Sequence, residues 1–504
     1  MTLLRVLHAE ALKMKRTIAL KMVVLAPAAV VLLIFSFAVC VMADQEPPDD
    51  PTLSAGDFTL KRADADAYAE PAPVLTYKQR EVFMRGRVHF NQKWVVFPSL
   101  GGDWGLGPTF IADRCVECHA KAGRGSPPKL ATEQPKSLLV RLSIPGTDEH
   151  GGPKPHPNYG DQFQNAGLEG KDKDHFLGDR VPPEGEVYID WTERETAFAD
   201  GEKISLRSPR VRFEKLNFGP LGDDIMTSLR LAPPIFGLGL LEAVPEETIL
   251  ATAKRQAEQG FKGKANYVWD AINARVALGR FGWKANQPSV KQQIAAAFIG
   301  DIGVTSPLYG EENCPPVQTL CRKQPPGNNP ELIDKNWEEL EFWTLGIAVP
   351  ARRNAGDAQA ERGEKLFAGA KCAQCHVPTM STREYKPLPQ LANQIFHAYT
   401  DLLLHDMGEE LADGRPDFKA GAREWRAVAG RQRGAAGPVP ACGRRRPHDR
   451  GIRAVGARGR IRRRGDELPG PARRRPVCAR GHEDVDLKWR HRRFLLRVRA
   501  HGPG

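Results

Sequence analysis

Cys115-Val116-Glu117-Cys118-His119 and Cys372-Ala373-Gln374-Cys375-His376 are the two stretches on which the fold and chemistry of this chain turn. Two thiols three positions apart on a turn of helix can each form a thioether to one vinyl group of a haem. The adjacent histidine then turns under the ring and ligates iron. A zinc knuckle would carry further Cys or His at short spacing, and neither motif has them. A thioredoxin-like pair has no use for a histidine at the next position in both copies. The spacing therefore predicts two covalently bound haem c groups, attached through Cys115, Cys118, Cys372 and Cys375, with His119 and His376 as proximal iron ligands.

Each motif follows a helix-patterned stretch holding a glycine and an aromatic. Val82, Phe83, Gly86 and Phe90 fall on one face of a helix beginning near Lys78, and Gly363 and Phe367 lie on a helix predicted over 358–367. Pro245-Glu246-Glu247 starts another helix, and 290–299 and 336–347 read as two more. Residues 145–190 are loop-like, while alternating apolar residues at 186–191 and 211–218 suggest short strands. There is no internal repeat beyond the two haem modules. The expectation is a mainly α architecture: two cytochrome c-like haem domains with loop-rich insertions and short strands. The first domain spans 76–350 and the second, incomplete at its end, 351–426, after a Pro-rich linker at 44–75.

Lys13, Lys15, Arg16 and Lys21 precede an apolar run at 22–42, followed by Ala43 and an acidic, Pro-rich exit. This describes a secretory signal over 1–43. The run is also as long as the ~20 residues that span a bilayer, so an uncleaved membrane anchor through 22–42 is the rival reading. Either one sends the body to the periplasm. Cys314 and Cys321 stand seven apart in a Pro-rich stretch, which fits a disulfide in an oxidising compartment or two free thiols. The formal charge of +12 is uneven: residues 427–504 hold 22 Lys+Arg against 6 Asp+Glu, and the rest of the chain is mildly acidic. The tail uses Arg almost without Lys, whereas a nucleic-acid arm has no reason to avoid Lys. It reads as a translated frameshift in GC-rich DNA. Shifting 466–486 by one base permits an apolar-rich segment that ends at a stop. No nucleic-acid partner is expected.

Several further stretches fall in a recognisable order. They are Phe90-Asn91 with Trp94-Val95, Gly105-Leu106-Gly107-Pro108, Gly123-Arg124-Gly125, and Arg230-Leu-Ala-Pro-Pro-Ile-Phe-Gly-Leu-Gly-Leu-Leu-Glu242. Gly279-Arg-Phe-Gly-Trp-Lys284, Ala295-Ala-Ala-Phe-Ile-Gly-Asp-Ile-Gly303, Val349-Pro-Ala-Arg-Arg353 and Asp401-Leu-Leu-Leu-His-Asp-Met-Gly408 follow. Over 75–426 the chain resembles the bacterial di-haem c-type oxidoreductases, also labelled thiol oxidoreductases and distantly similar to di-haem cytochrome c peroxidases. The resemblance implies a periplasmic enzyme exchanging electrons with a redox partner, with peroxidase-like or thiol-oxidising chemistry at one haem. The alternative is a non-catalytic carrier with two six-coordinate haems. The place of His405 and Met407 in the last block makes them candidate sixth iron ligands, against readings as a solvated helix end and core packing. His89 and Met226 are weaker candidates. Trp94 is either a core aromatic or a haem neighbour. Arg230 and Arg280 either meet haem propionates or form surface ion pairs. His150, His156 and His175 read as solvated loop residues.

Overall fold

The computed structural model describes residues 50–427, apart from 63, 97–103, 169–179, 198–200 and 202. The signal or anchor, His175 and the tail beyond Ala427 lie outside these residues. Among the described residues, no helix is long and apolar enough to cross a membrane.

The helix Tyr77–Asn91 starts at a capping box: Gln79 N donates to Thr76 Oγ1, and Thr76 N donates back to Gln79 Oε1. Its buried face is Phe83, Gly86 and Phe90. That face crosses the helix Asp334–Leu345, where Trp337, Leu340 and Trp343 are buried. A Cβ on Gly86 would lie 2.6 Å from Trp343 Cβ and closer still to the Glu339 backbone, so only glycine permits this crossing. The other predicted helices form as Glu246–Glu258, Val290–Ala297 and Ala358–Gly369. The Val290–Ala297 helix runs on into a π-turn, Phe298–Ile302.

The expectation of a mainly α, cytochrome c-like architecture is wrong. Helix accounts for 27 % and strand for 23 %, in several small sheets. Strand Leu138–Thr147 pairs antiparallel with Met226–Leu231, from Leu138↔Leu231 to Ser143↔Met226. Strands Glu186–Ala197 and Lys203–Glu214 form a hairpin in continuous register, longer than the strands expected there. Under these strands Val140, Leu142, Tyr159, Phe163 and Val187 make a small core of their own. The physical reason for the error is that strands Leu138–Thr147, Glu186–Ala197 and Met226–Leu231 bury alternate residues rather than a helical face.

One larger apolar cluster runs from Ala55 to Leu403 and includes residues from the surroundings of both motifs. Residues 50–75, expected as a linker, belong to it through Phe58, Ala72 and Leu75. They are tied down by the parallel pairing Thr59↔Val349 and Leu60↔Pro350. Cys314 and Cys321 form a disulfide, with Cα atoms 5.7 Å apart.

Candidate functional site

The first motif is a single turn of helix, Cys115–Cys118, with His119 capping it. His119 Nδ1 faces the Pro233 carbonyl at 2.8 Å. A carbonyl only accepts, so Nδ1 carries the proton and Nε2 keeps its lone pair, the form that binds a metal. Burial lowers the His119 pKa, against the pull of the Pro233 and Gly123 backbone, and so favours the neutral ring. Burial, helped by Asp301, pushes the Cys115 and Cys118 thiols up to about 12.

Cys115, Cys118 and His119 line a cavity. Phe90, Ile235, Phe281, Phe298 and Trp343 give it apolar walls. Phe90 ties the wall to the glycine crossing, with its ring 4.2 Å from Trp343 and 6.5 Å from His119. Arg141, Arg230, Arg426 and Asp301 add charge. Arg230 is 3.6 Å from both Asp413 and Asp417. Yet its Nε and Nη2, the Arg426 Nε and the Trp343 Nε1 are buried with no hydrogen-bond acceptor among the described residues. Burial lowers both arginines to about 10. A concave apolar slot with unmatched buried donors calls for a large apolar ligand bearing acidic groups. These residues fit a haem and its propionates. Zinc fits poorly: among the described residues, no cluster of three His, Cys, Asp or Glu groups forms around Cys115 and Cys118.

The second motif is a short 3-10 turn, Cys372–Gln374, at the end of the helix Ala358–Gly369. The histidine–carbonyl contact repeats, since His376 Nδ1 faces the Tyr399 carbonyl at 3.2 Å. Phe367 packs near His376 and Tyr399, as Phe90 does near His119. The helix itself differs, because none of its residues is buried and no described atom comes within 4 Å of a Cβ placed on Gly363.

His405 sits on the strand Leu404–Asp406, which pairs with Glu424–Arg426. Its ring lies between two partners: Nε2 is 2.7 Å from Asp401 Oδ2, and Nδ1 is 3.6 Å from Cys375 Sγ. Met407 is half-buried, and its backbone N–H donates to the Arg423 carbonyl. Of the two propionate candidates, Arg230 reaches the first cavity, whereas Arg280 is spent on the Leu241 and Val244 carbonyls. Trp94 is a core aromatic, edge-on to Phe298. His89 pairs with Glu339 at 3.1 Å, and Met226 opens a strand. His150 stacks on Trp269, and His156 is buried rather than solvated, its Nε2 3.0 Å from the Leu221 carbonyl.

Sequence reasoning missed Asp301, Arg141 and Arg426. Asp301 lies on the π-turn and its Oδ1 accepts from Gln162 Nε2 at 2.8 Å; burial raises its pKa against the opposing pull of Arg141 and Gln162. It stands inside the block 295–303, but a π-turn has no readable sequence signature. Arg426 lines the first cavity and also feels the Asp401 charge beside the second motif.

No curated protein and no solved structure matches the chain. One family model, described as "di-haem oxidoreductase, putative peroxidase", matches residues 50–431. The match covers most of the chain and encloses both motifs with their paired histidine–carbonyl contacts; the chain belongs to the di-haem oxidoreductase family.

Proposed function

We propose that the protein is a periplasmic oxidoreductase with two covalently bound haem c groups, and that its substrate chemistry takes place at the first. Cys115, Cys118 and His119 would hold one haem, and Cys372, Cys375 and His376 the other. The observation that carries this reading is the cavity at His119, apolar on its walls and supplied with buried N–H donors that lack acceptors. When bound, the haem irons would supply one-electron redox chemistry and a coordination position for a ligand.

The chain's own residues do the rest. The Pro233 and Tyr399 carbonyls hold His119 and His376 in the tautomer that presents Nε2. Arg230 and Arg426 offer N–H groups to propionate carboxylates. Phe281, Phe298 and Trp343 keep water from the cavity. Asp301, held by Gln162 through one oxygen, can carry a proton on the other inside that cavity. Small oxidants such as peroxide, or a thiol, are the substrates this site suits. A separate redox partner in the periplasm would exchange electrons through the second motif. The positive flank and apolar run before residue 43 support the location.

The test is the visible and EPR spectrum of the purified ferric protein with and without peroxide. A high-spin component that peroxide alters is expected. Two low-spin haems indifferent to peroxide would make the protein an electron carrier instead.

A further inference from the structure

The imidazole of His405 stands between a thiol and a carboxylate, and the arrangement is built rather than incidental. Asp401 is fully buried. Its Oδ1 accepts from the Leu403 N–H at 3.0 Å, and its Oδ2 accepts from Gln256 Nε2 at 2.8 Å and from His405 Nε2 at 2.7 Å. The same Gln256 amide donates to the Gln374 carbonyl at 2.7 Å, one residue before Cys375. The carboxylate is thus clamped to the backbone of the motif. With Nε2–H committed to Asp401, His405 Nδ1 is an acceptor, and it faces Cys375 Sγ at 3.6 Å. Thiol, imidazole and carboxylate follow in the order that activates a nucleophile.

The three groups also lie close enough to suggest a cation site. The ring presents a different nitrogen to each neighbour, however, so an ion on Nδ1 would take Cys375 but leave Asp401 as the partner of Nε2–H, which gives it only two of the three groups. A proton relay uses both. The remaining motif cysteines have no such neighbour among the described residues: Cys118 Sγ donates to the Lys136 carbonyl at 3.1 Å, and Cys372 Sγ lies 4.0 Å from the Ala370 carbonyl.

We infer that His405, oriented by Asp401, is the base that assists covalent haem attachment at Cys375. The inference rests on the two-haem reading above. In the step, the Cys375 sulfur forms a C–S bond to the vinyl carbon next to the haem ring. The vinyl π bond is lost, and the thiol proton, taken up by His405 Nδ1, ends on the terminal vinyl carbon. Addition of S–H across C=C balances without an oxidant, a reductant or a leaving group. His405 touches the reacting sulfur, and Asp401 is a positioning residue that fixes the tautomer.

The experiment expresses the full chain in a host that matures c-type cytochromes, alkylates free thiols under denaturing conditions and maps them by peptide mass spectrometry. The unsubstituted chain should show all four motif cysteines protected. In His405→Ala, attachment at Cys375 should slow by about 100-fold or more, the scale of general-base assistance. Cys375 should therefore be alkylated while Cys372 stays linked and the first motif is unaffected. His405→Gln keeps the size of the side chain and a donor to Asp401 but is no base, so it should behave like His405→Ala even if the alanine variant folds poorly. Asp401→Asn should leave Cys375 partly free. Full protection of Cys375 in His405→Gln would overturn the inference, and an altered haem spectrum there would return His405 to the role of iron ligand. Alkylation of Cys372 and Cys375 in the unsubstituted chain would overturn the two-haem reading as well.

Discussion

Alanine substituted at Gly86 and at Gly363 makes the same chemical change at matching places, one glycine on the helix before each motif, yet the structure predicts opposite outcomes. At Gly86 the new methyl would sit 2.6 Å from Trp343 Cβ and nearer to the Glu339 backbone. Ordinary carbon contact begins near ~3.5 Å, so the two helices must part by more than about 1 Å, and neither obstacle can rotate away. Overpacking of this kind costs about 1–3 kcal/mol. Replacing a helix-interior glycine by alanine returns roughly 1 kcal/mol. With a backbone atom as the closest obstacle the cost lies at the upper end of that range, so the net expectation for Gly86→Ala is a loss of about 2 kcal/mol. Because Trp343 packs on Phe90 beside His119, the spectrum of the first haem should change and that of the second should not. At Gly363 no described atom obstructs the methyl, so only the helix gain of ~0.5–1 kcal/mol remains. Urea denaturation followed by far-UV circular dichroism measures both. A Gly86→Ala protein as stable as the unsubstituted chain, or equal losses at the two sites, would refute the packing argument.

Other expectations follow from the same structure. Cys115→Ala and Cys372→Ala should each weaken haem retention at its own motif on a denaturing gel, while the unsubstituted protein gives a pyridine haemochrome of two c-type haems; zinc in place of iron would sink that reading. Burial, opposed by hydrogen bonds from Gln164 and Gln318, raises Glu184 to about 8. An acid with a raised folded pKa stabilises the fold fully below its unfolded value of 4.5, and that contribution is lost as pH rises through about 8. Glu184→Gln should therefore gain stability relative to the parent between these limits, and parallel pH profiles would count against it. Lys284, fully buried, donates to Asp413 and to the Arg415 and Gly421 carbonyls, so Lys284→Met should cost about 3–5 kcal/mol in the same urea titration. Removing residues 428–504 should leave haem content per chain unchanged, and a fall in that content would show that the tail is needed.

The parts of the site that were legible in sequence are those whose chemistry depends on local spacing. The two motifs, the helices that precede them and the Cys314–Cys321 pair all lie within a few residues of their partners. The Pro245-Glu246-Glu247 start is equally local. What could not be read depends on distant partners. Arg230 meets Asp413 and Asp417 only after the chain has folded back by nearly two hundred positions. His405 is set against Cys375 by Asp401 and Gln256, and the latter comes from the helix Glu246–Glu258, more than a hundred positions earlier. The strand Leu138–Thr147 was readable, since Leu138, Val140 and Leu142 alternate inward, but only its end was assigned, as the start of the loop-like stretch at 145–190. The Pro-rich composition of 50–75 likewise hid a segment whose Ala55, Phe58, Ala69, Ala72 and Leu75 are buried in the larger cluster.

The closure of the amino-terminal segment onto the far end of the body also sets an order in time. Ser54 donates to the Pro350 carbonyl, the Asp57 N–H donates to Gln394, and Ala55 bridges Phe396. A chain emerging from its amino terminus must release some three hundred residues before these contacts can form, and long loops close slowly. The first motif is therefore exposed long before its walls exist, because Phe281, Phe298 and Trp343 all arrive later. The pocket at His119 is therefore completed only when those later residues have folded onto the motif, and its shape depends on the last part of the chain to arrive.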